Sequence, residues 1–326
     1  MSELLSQVLA TLAAILLGVA GIAGLFLGLD FLVSRFPQRL QPRVRPWAYI
    51  GPALLILGFY LVYPTLNTLY LSFLDARSER FVGLQNYLWT LISPEMHVAF
   101  RNNLLWIVLM TTFSVGLGLI IAVLVDRVRY EPMAKSVIFL PVAISFVGAS
   151  VIWRFVYAYK PANVPQIGLL NAAIVALGGR PIGWLVDTAV NNFALIAVGV
   201  WLQTGFCMVI LSAALKAIPR EILEAARVDG ASEWRIFWQI TVPMIGSTIA
   251  VVATTVVINA LKAFDIVFVM TNGTRGTEVI ANRMYKEMFS FLNFGRASAI
   301  AVILLLAIVP VMAANIRRFQ AQEEMR

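Results

Sequence analysis

Seven stretches of this chain stay apolar over lengths that cross a lipid bilayer as helices. They lie near residues 5–33, 49–74, 103–125, 135–157, 193–216, 243–270 and 298–316. A bilayer core takes about 20 helical residues per crossing. Charged residues make up 13% of the chain, roughly half their share in an ordinary soluble domain, so the runs are not the buried helices of a water-soluble protein. The expected fold class is all-α integral membrane, with seven transmembrane helices.

Lysine and arginine set the expected orientation. The loops after runs one, three, five and seven carry fourteen of them, and the longer alternate loops carry nine. The positive-inside rule then places the first set and the C-terminus in the cytoplasm and the N-terminus outside. The net charge of +8 is accounted for in this way, and no basic patch interleaved with loop aromatics suggests nucleic acid. The first run lacks a basic leader and is followed by Arg35, Arg39, Arg43 and Arg45 instead of a cleavage site, so it reads as a membrane helix and not a secretory signal. Its Gly24 and Gly28 predict a face that packs on another helix. Trp153, Tyr157, Tyr159 and Trp184 suit an outer aromatic belt, and Trp47, Tyr49, Trp234 and Trp238 an inner one.

Chemistry is excluded more easily than assigned. The single Cys207 allows no intrachain disulfide, and the single His97 argues against a His-based metal site. No Gly-x-x-x-x-Gly-Lys-Ser/Thr loop occurs, so the chain is not expected to hydrolyse ATP. No catalytic residue and no metal ligand is assigned. Polar groups inside the runs are costly and worth weighing. Lys262 and Asp265, at i and i+3, are expected to pair on one helical face, and Arg154 to snorkel outward. Gln203 and Asn259 either bond between helices or touch a polar solute.

One polar segment stands out between the fifth and sixth runs, from Pro219 to Pro243. Pro219 suits a first helical position, and Glu221 and Glu224 place negative charge in the first turn, where the helix dipole favours it. Gly230 supplies a left-handed stop. Trp234, Phe237, Trp238 and Thr241 then recur with the spacing of an interfacial helix. A helix, a glycine and a second helix on a membrane loop form a structure for another protein to grip.

Glu224-Ala225-Ala226, Gly230 four residues on, and Ile240-Thr241-Val242-Pro243 together resemble the EAA loop of ABC importer permeases. The likeness extends over roughly residues 46–318. Phe81-Val-Gly-Leu-Gln-Asn-Tyr87, Asn103, Leu140-Pro141, Trp153, Ala217-Ile218-Pro219, Phe264-Asp265, Thr271-Asn272-Gly273 and Gly295-Arg-Ala-Ser298 are similar to the carbohydrate branch, of the maltose-transporter large-subunit type. Phe155-Val-Tyr-Ala-Tyr159 and Gly276 to Arg283 look most like α-glucoside or glucosylglycerol permeases. Asn272-Gly273-Thr274-Arg275 departs from the branch's Asn-Gly-Gly-Pro.

The resemblance implies a type I ABC importer permease core of six helices plus one N-terminal helix. Residues 1–48 would be the extra helix and a cytoplasmic linker. Residues 49–318 would be the core, with the coupling loop at 218–243, and 319–326 a cytoplasmic tail. It implies alternating access for an oligosaccharide or glucoside, with glycerol phosphate or an ATP-independent secondary transporter as rivals. The implied partners are a second homologous permease, two ATP-binding subunits that hold the ATP and Mg, and an extracytoplasmic solute-binding protein. This chain itself would carry no cofactor, its setting would be a bacterial or archaeal cytoplasmic membrane, and nucleic acid would not be a partner. Coupling would fall to Glu224, Ala225, Ala226 and Gly230. The sugar contacts of relatives carry over onto Val200, Gln203 and Phe206, then Val256, Ala260 and Ala263, with Asn259 as a further polar candidate.

Overall fold

A computed structural model describes every residue except Met1, Arg127 and 324–326, with backbone alone for 2–4 and 316–323. Arg127, Arg317, Arg318 and Arg326, used above for orientation, therefore lie outside the described side chains. Two compact units divide the chain, Met1–Asn67 and Thr68–Arg326, and the division falls inside the second apolar run.

The first unit holds α1 (Ser2–Ser34) and most of α2 (Gln41–Leu71). Pro64 cannot donate to its i−4 carbonyl, and the wide π turn at Gly58–Val62 just before it absorbs the loss. Among the described residues, a Cβ at Gly24 or Gly28 has no neighbour within 4 Å. The expected helix-packing face is thus open.

The second unit is built on α3 (Gln85–Ile92), α4 (Pro94–Val125), α5 (Glu131–Ala143), α6 (Phe146–Val156), α7 (Leu169–Ala176), α8 (Asn191–Lys216), α9 (Arg220–Val228), α10 (Glu233–Met244), α11 (Gly246–Leu261), α12 (Asp265–Met270), α13 (Ile280–Phe289) and α14 (Phe294–Glu323). Among the described residues, five helices are long and apolar enough to span a membrane, and seven spans result if two bent pairs each count as one. The bends were not legible as such. α5 and α6 meet at 100°, where Ile144 and Ser145 turn extended and the Ser145 hydroxyl accepts from Gly148 N–H at 3.0 Å to start α6. α10 and α11 meet at 68°, at Ile245.

α8 is the central helix. Leu195, Val198, Cys207, Met208 and Leu211 are completely or almost completely enclosed, against Trp106 and Met110 of α4 and Val252 and Val256 of α11. α4 and α8 cross closely because Gly118 has no side chain there. A Cβ on Gly118 would lie 2.5 Å from Cys207 Cβ and 2.9 Å from the Met208 nitrogen.

The expected outer belt instead forms a packed cluster. Trp153 stacks near Tyr157 and Trp201, with ring centroids at 5.1 and 5.6 Å, and Tyr157 near Trp184 at 5.6 Å. Tyr157 is buried and its hydroxyl donates to the Ala194 carbonyl at 2.9 Å, so it serves the core and not the lipid interface. Tyr159 alone of the four is exposed.

Candidate coupling hairpin and substrate path

Pro219 caps α9 with an extended backbone (ψ 131°), so the helix begins one residue later than its proline suggested. Its other end is a complete Schellman stop. Gly230 N–H donates to the Arg227 carbonyl and Ala231 N–H to the Ala226 carbonyl, each at 3.0 Å. Gly230 takes φ +80°, the left-handed conformation that a β-branched residue resists. Ser232 then caps α10, and Arg227 Nε bonds Glu233 Oε1 at 2.7 Å across the turn. Glu233 raises the Arg227 pKa further, so the guanidinium stays charged. The result is a two-helix hairpin of defined angle.

The four candidate coupling residues do not all face outward. Glu224 and Ala225 are exposed, together with Glu221 and Ile222, and Val228 is 86% exposed. Ala226 turns inward and is buried, and Leu223 packs on the main core. One alanine therefore presents a flat outer face while the other seats the helix on its own bundle. The aromatic stripe also splits. Trp234 and Trp238 are exposed, with rings 5.6 Å apart, whereas Thr241 is buried. The π turn at Phe237–Thr241 rotates Thr241 away from the tryptophan face.

Beneath the hairpin lies a charge network that sequence reasoning counted only as loop charge. Lys216, in the last turn of α8, reaches Glu131 Oε1 at 2.5 Å and Asp126 Oδ1 at 3.5 Å. Lys135 bonds Glu131 and Ser212 Oγ. These contacts tie the ends of α4, α5 and α8 together three residues before the hairpin. The i, i+4 spacing of Glu131 and Lys135 was the available signal. A cavity of ≈ 200 Å³ separates this base from Ile236 and Phe237 of α10.

At the opposite end of α8, about 39 Å away by helical rise, buried asparagines clasp a tight loop. Asn102 donates to the Gly276 and Glu278 carbonyls at 2.7 Å each, and Asn191 to the Arg275 carbonyl at 2.9 Å. Arg275, where the family pattern has proline, adopts φ +57° and donates Nη1 to the Val186 carbonyl at 3.2 Å. The departure in sequence is thus accommodated by a left-handed residue tied back to the bundle.

The candidate substrate residues divide between places. Asn259 and Ala263 line a pocket of ≈ 190 Å³ with Trp106, Phe146, Phe264, Lys262 and Asp265. Val256 and Ala260 are fully buried among this chain's helices, and Asn103 Nδ2 donates to the Ala260 and Leu261 carbonyls at 3.4 and 3.1 Å. Gln203 and Phe206 are not in that lining. Gln203 is 9% exposed, and Phe206 packs partly on the core. Val200 lines a separate apolar groove of ≈ 640 Å³ with Phe113, Leu117 and Trp201. Lys262 and Asp265 form no ion pair among the described residues. The helix ends at Leu261, and Phe264 (φ −141°) separates them, so the i, i+3 geometry of a continuous helix never arises. Both charges instead face the pocket of Asn259. Arg154 is exposed and donates to the Val269 carbonyl at 3.3 Å.

No cluster of three or more potential metal ligands occurs among the described residues. The chain is 68% identical, over 85% of its length and 100% of the relative, to the osmoprotective compounds uptake permease protein GgtC of Synechocystis sp.. It is 46% identical, over 97% of each chain, to the alpha-glucoside transport system permease protein AglF of Rhizobium meliloti. A bacterial ABC transporter for import of the acidic polysaccharide alginate shares the fold with a TM-score of 0.74, at 21% identity over 87% of this chain and 98% of that one. Residues 104–319, carrying the hairpin and the pocket, match the family of binding-protein-dependent transport system inner membrane components, and the chain belongs to that family.

Proposed function

We propose that this chain is one of two transmembrane subunits of an ATP-driven importer for a glucoside or short oligosaccharide. The observation that carries the proposal is the hairpin: a rigid Schellman turn presents Glu224, Ala225 and Val228 outward from a base tied to α4, α5 and α8. Such a lever suits a partner that moves it. Two ATP-binding subunits, holding ATP and Mg, would grip the hairpins of this chain and of a second homologous permease. A solute-binding protein would deliver cargo at the opposite end. Closing of the ATPase pair would draw the hairpins together and switch the bundle between inward and outward access.

The names of the relatives, osmoprotective compounds for one and alpha-glucoside for the other, support a polyhydroxylated solute. The pocket at the break after α11 has matching chemistry. Asn259, Lys262 and Asp265 offer donors and an acceptor for hydroxyls, and Trp106, Phe146 and Phe264 offer ring faces. Asp265 in the same lining opposes a phosphate, which argues against a glycerol phosphate cargo.

The test is uptake of a panel of glucosides by Asn259→Ala, Asp265→Asn, Gln203→Ala and Phe206→Ala, normalised to assembled complex. Each residue that touches cargo is expected to cost on the order of 1 kcal/mol of interaction, about a fivefold change in apparent affinity, with altered selectivity. Unchanged selectivity in all four would remove these residues from the path.

Orientation follows from the arginine-rich loops: hairpin and C-terminus in the cytoplasm, N-terminus outside. Gln41→Cys in intact cells is expected to resist an impermeant thiol reagent, and Asn163→Cys to react with it. Outside labelling at position 41 would refute this topology.

A further inference from the structure

Within the N-terminal unit, no residue of the most apolar stretch of α1 or of α2 is buried, so both present apolar side chains to lipid. α1 is 33 residues long, about 50 Å, and exceeds the hydrocarbon core. The turn that follows it therefore lies at headgroup level. That turn is built, not slack. Leu40 N–H donates to the Pro37 carbonyl at 2.8 Å, and Gln41 Nε2 donates to the Phe36 and Ser34 carbonyls at 2.9 and 3.4 Å.

Four arginines stand on this elbow against one acid. Asp30 is already engaged: its Oδ1 accepts from Arg45 Nη2 at 3.0 Å and from the Tyr49 hydroxyl at 3.1 Å. Arg35 lies over the Phe31 ring at 4.6 Å, a contact that leaves its charge uncompensated. Arg35, Arg39 and Arg43 are exposed and have no acidic partner among the described residues. In the same unit a groove of ≈ 710 Å³ opens between the two helices, lined by Phe26, Leu27, Pro42, Pro46 and Tyr49 and, at its polar edge, by the Asp30–Arg45 pair. Phe26 and Tyr49, both in its lining, stack with ring centroids at 5.7 Å.

We propose that this elbow binds an anionic phospholipid, with the phosphate on Arg35, Arg39 and Arg43 and an acyl chain in the groove of Phe26 and Leu27. Charge selects the headgroup, since three uncompensated guanidiniums at a bilayer surface favour a net negative lipid over a zwitterionic one. The groove selects a lipid over a free anion, because inorganic phosphate gains nothing from apolar walls.

The test is native mass spectrometry of the full chain purified in detergent and titrated with phosphatidylglycerol or phosphatidylcholine. Phosphatidylglycerol is expected to be retained in preference. R35Q/R39Q/R43Q is expected to weaken it about a hundredfold, about fivefold per arginine, while R35K/R39K/R43K keeps most of the affinity. The lysine variant guards against loss through misfolding. Equal retention of both lipids, or undiminished phosphatidylglycerol on the glutamine variant, would overturn the proposal. Displacement of the lipid by millimolar inorganic phosphate would identify a free-anion site and overturn the lipid assignment.

Discussion

Valine at Gly230 is expected to leave the chain in the membrane and to abolish most ATP-driven uptake. Gly230 holds φ +80°, and a left-handed β-branched residue costs about 1–2 kcal/mol or more. A Cβ there meets nothing within 4 Å, so the penalty is conformational and not a clash. The chain escapes it by giving up the two 3.0 Å bonds that close the hairpin, which re-aims α9 against α10. A lever that has lost its angle transmits little, and about a tenfold fall in uptake per assembled complex is expected. Gly230→Asn is the control, because asparagine tolerates the left-handed region and is expected to retain coupling. Glu224→Lys reverses the charge on the outward face without touching the turn, and is expected to uncouple equally. Wild-type uptake and wild-type stimulated ATP hydrolysis in both Gly230→Val and Glu224→Lys would show that the hairpin does not couple.

Leucine at Gly118 is expected to lower stability more than any change on the hairpin. The neighbour at 2.9 Å is the backbone nitrogen of Met208, which no rotamer change moves aside. Overpacking of this kind costs about 1–3 kcal/mol, and the backbone contact puts the cost at the upper end. Gly116, two residues away on the same helix, has open space, so Gly116→Leu separates the clash from the loss of a helical glycine. The thermal midpoint of the detergent-purified chain reads the difference. Equal midpoints for the two leucine variants would mean that α4 and α8 do not cross as described. Cys207→Gly in a Gly118→Ala background is expected to recover part of the loss, since the nearest contact, at 2.5 Å, is Cys207 Cβ.

Local signals suffice where one or two residues carry the conformation. Gly230 ends a helix because glycine takes the left-handed turn without steric cost, and Ser232 follows as a cap. Signals that assume an unbroken helix failed at the breaks. Lys262 and Asp265 were expected on one face, and the chain turns between them. Thr241 was expected beside Trp234, and a π turn carries it inward. Trp153 and Tyr157 were expected at the lipid interface because aromatic residues near a helix end usually lie there, yet their neighbours Trp184 and Trp201 come from distant parts of the chain.

The sequence by itself determined that this chain lies in a membrane and is helical, because apolar length alone decides which segments lipid accepts and lipid leaves the backbone no other partner. It also determined the hairpin, whose start, stop and angle are set within a dozen residues. Only the tertiary structure decided where two runs bend, which alanine of the pair faces outward, and that Asn259, Lys262 and Asp265 share a pocket while Gln203 does not. Those outcomes depend on rotation of one helix about its axis relative to another. Close crossings such as Gly118 on Cys207 fix that rotation, and a crossing joins residues far apart in the chain that no local pattern pairs.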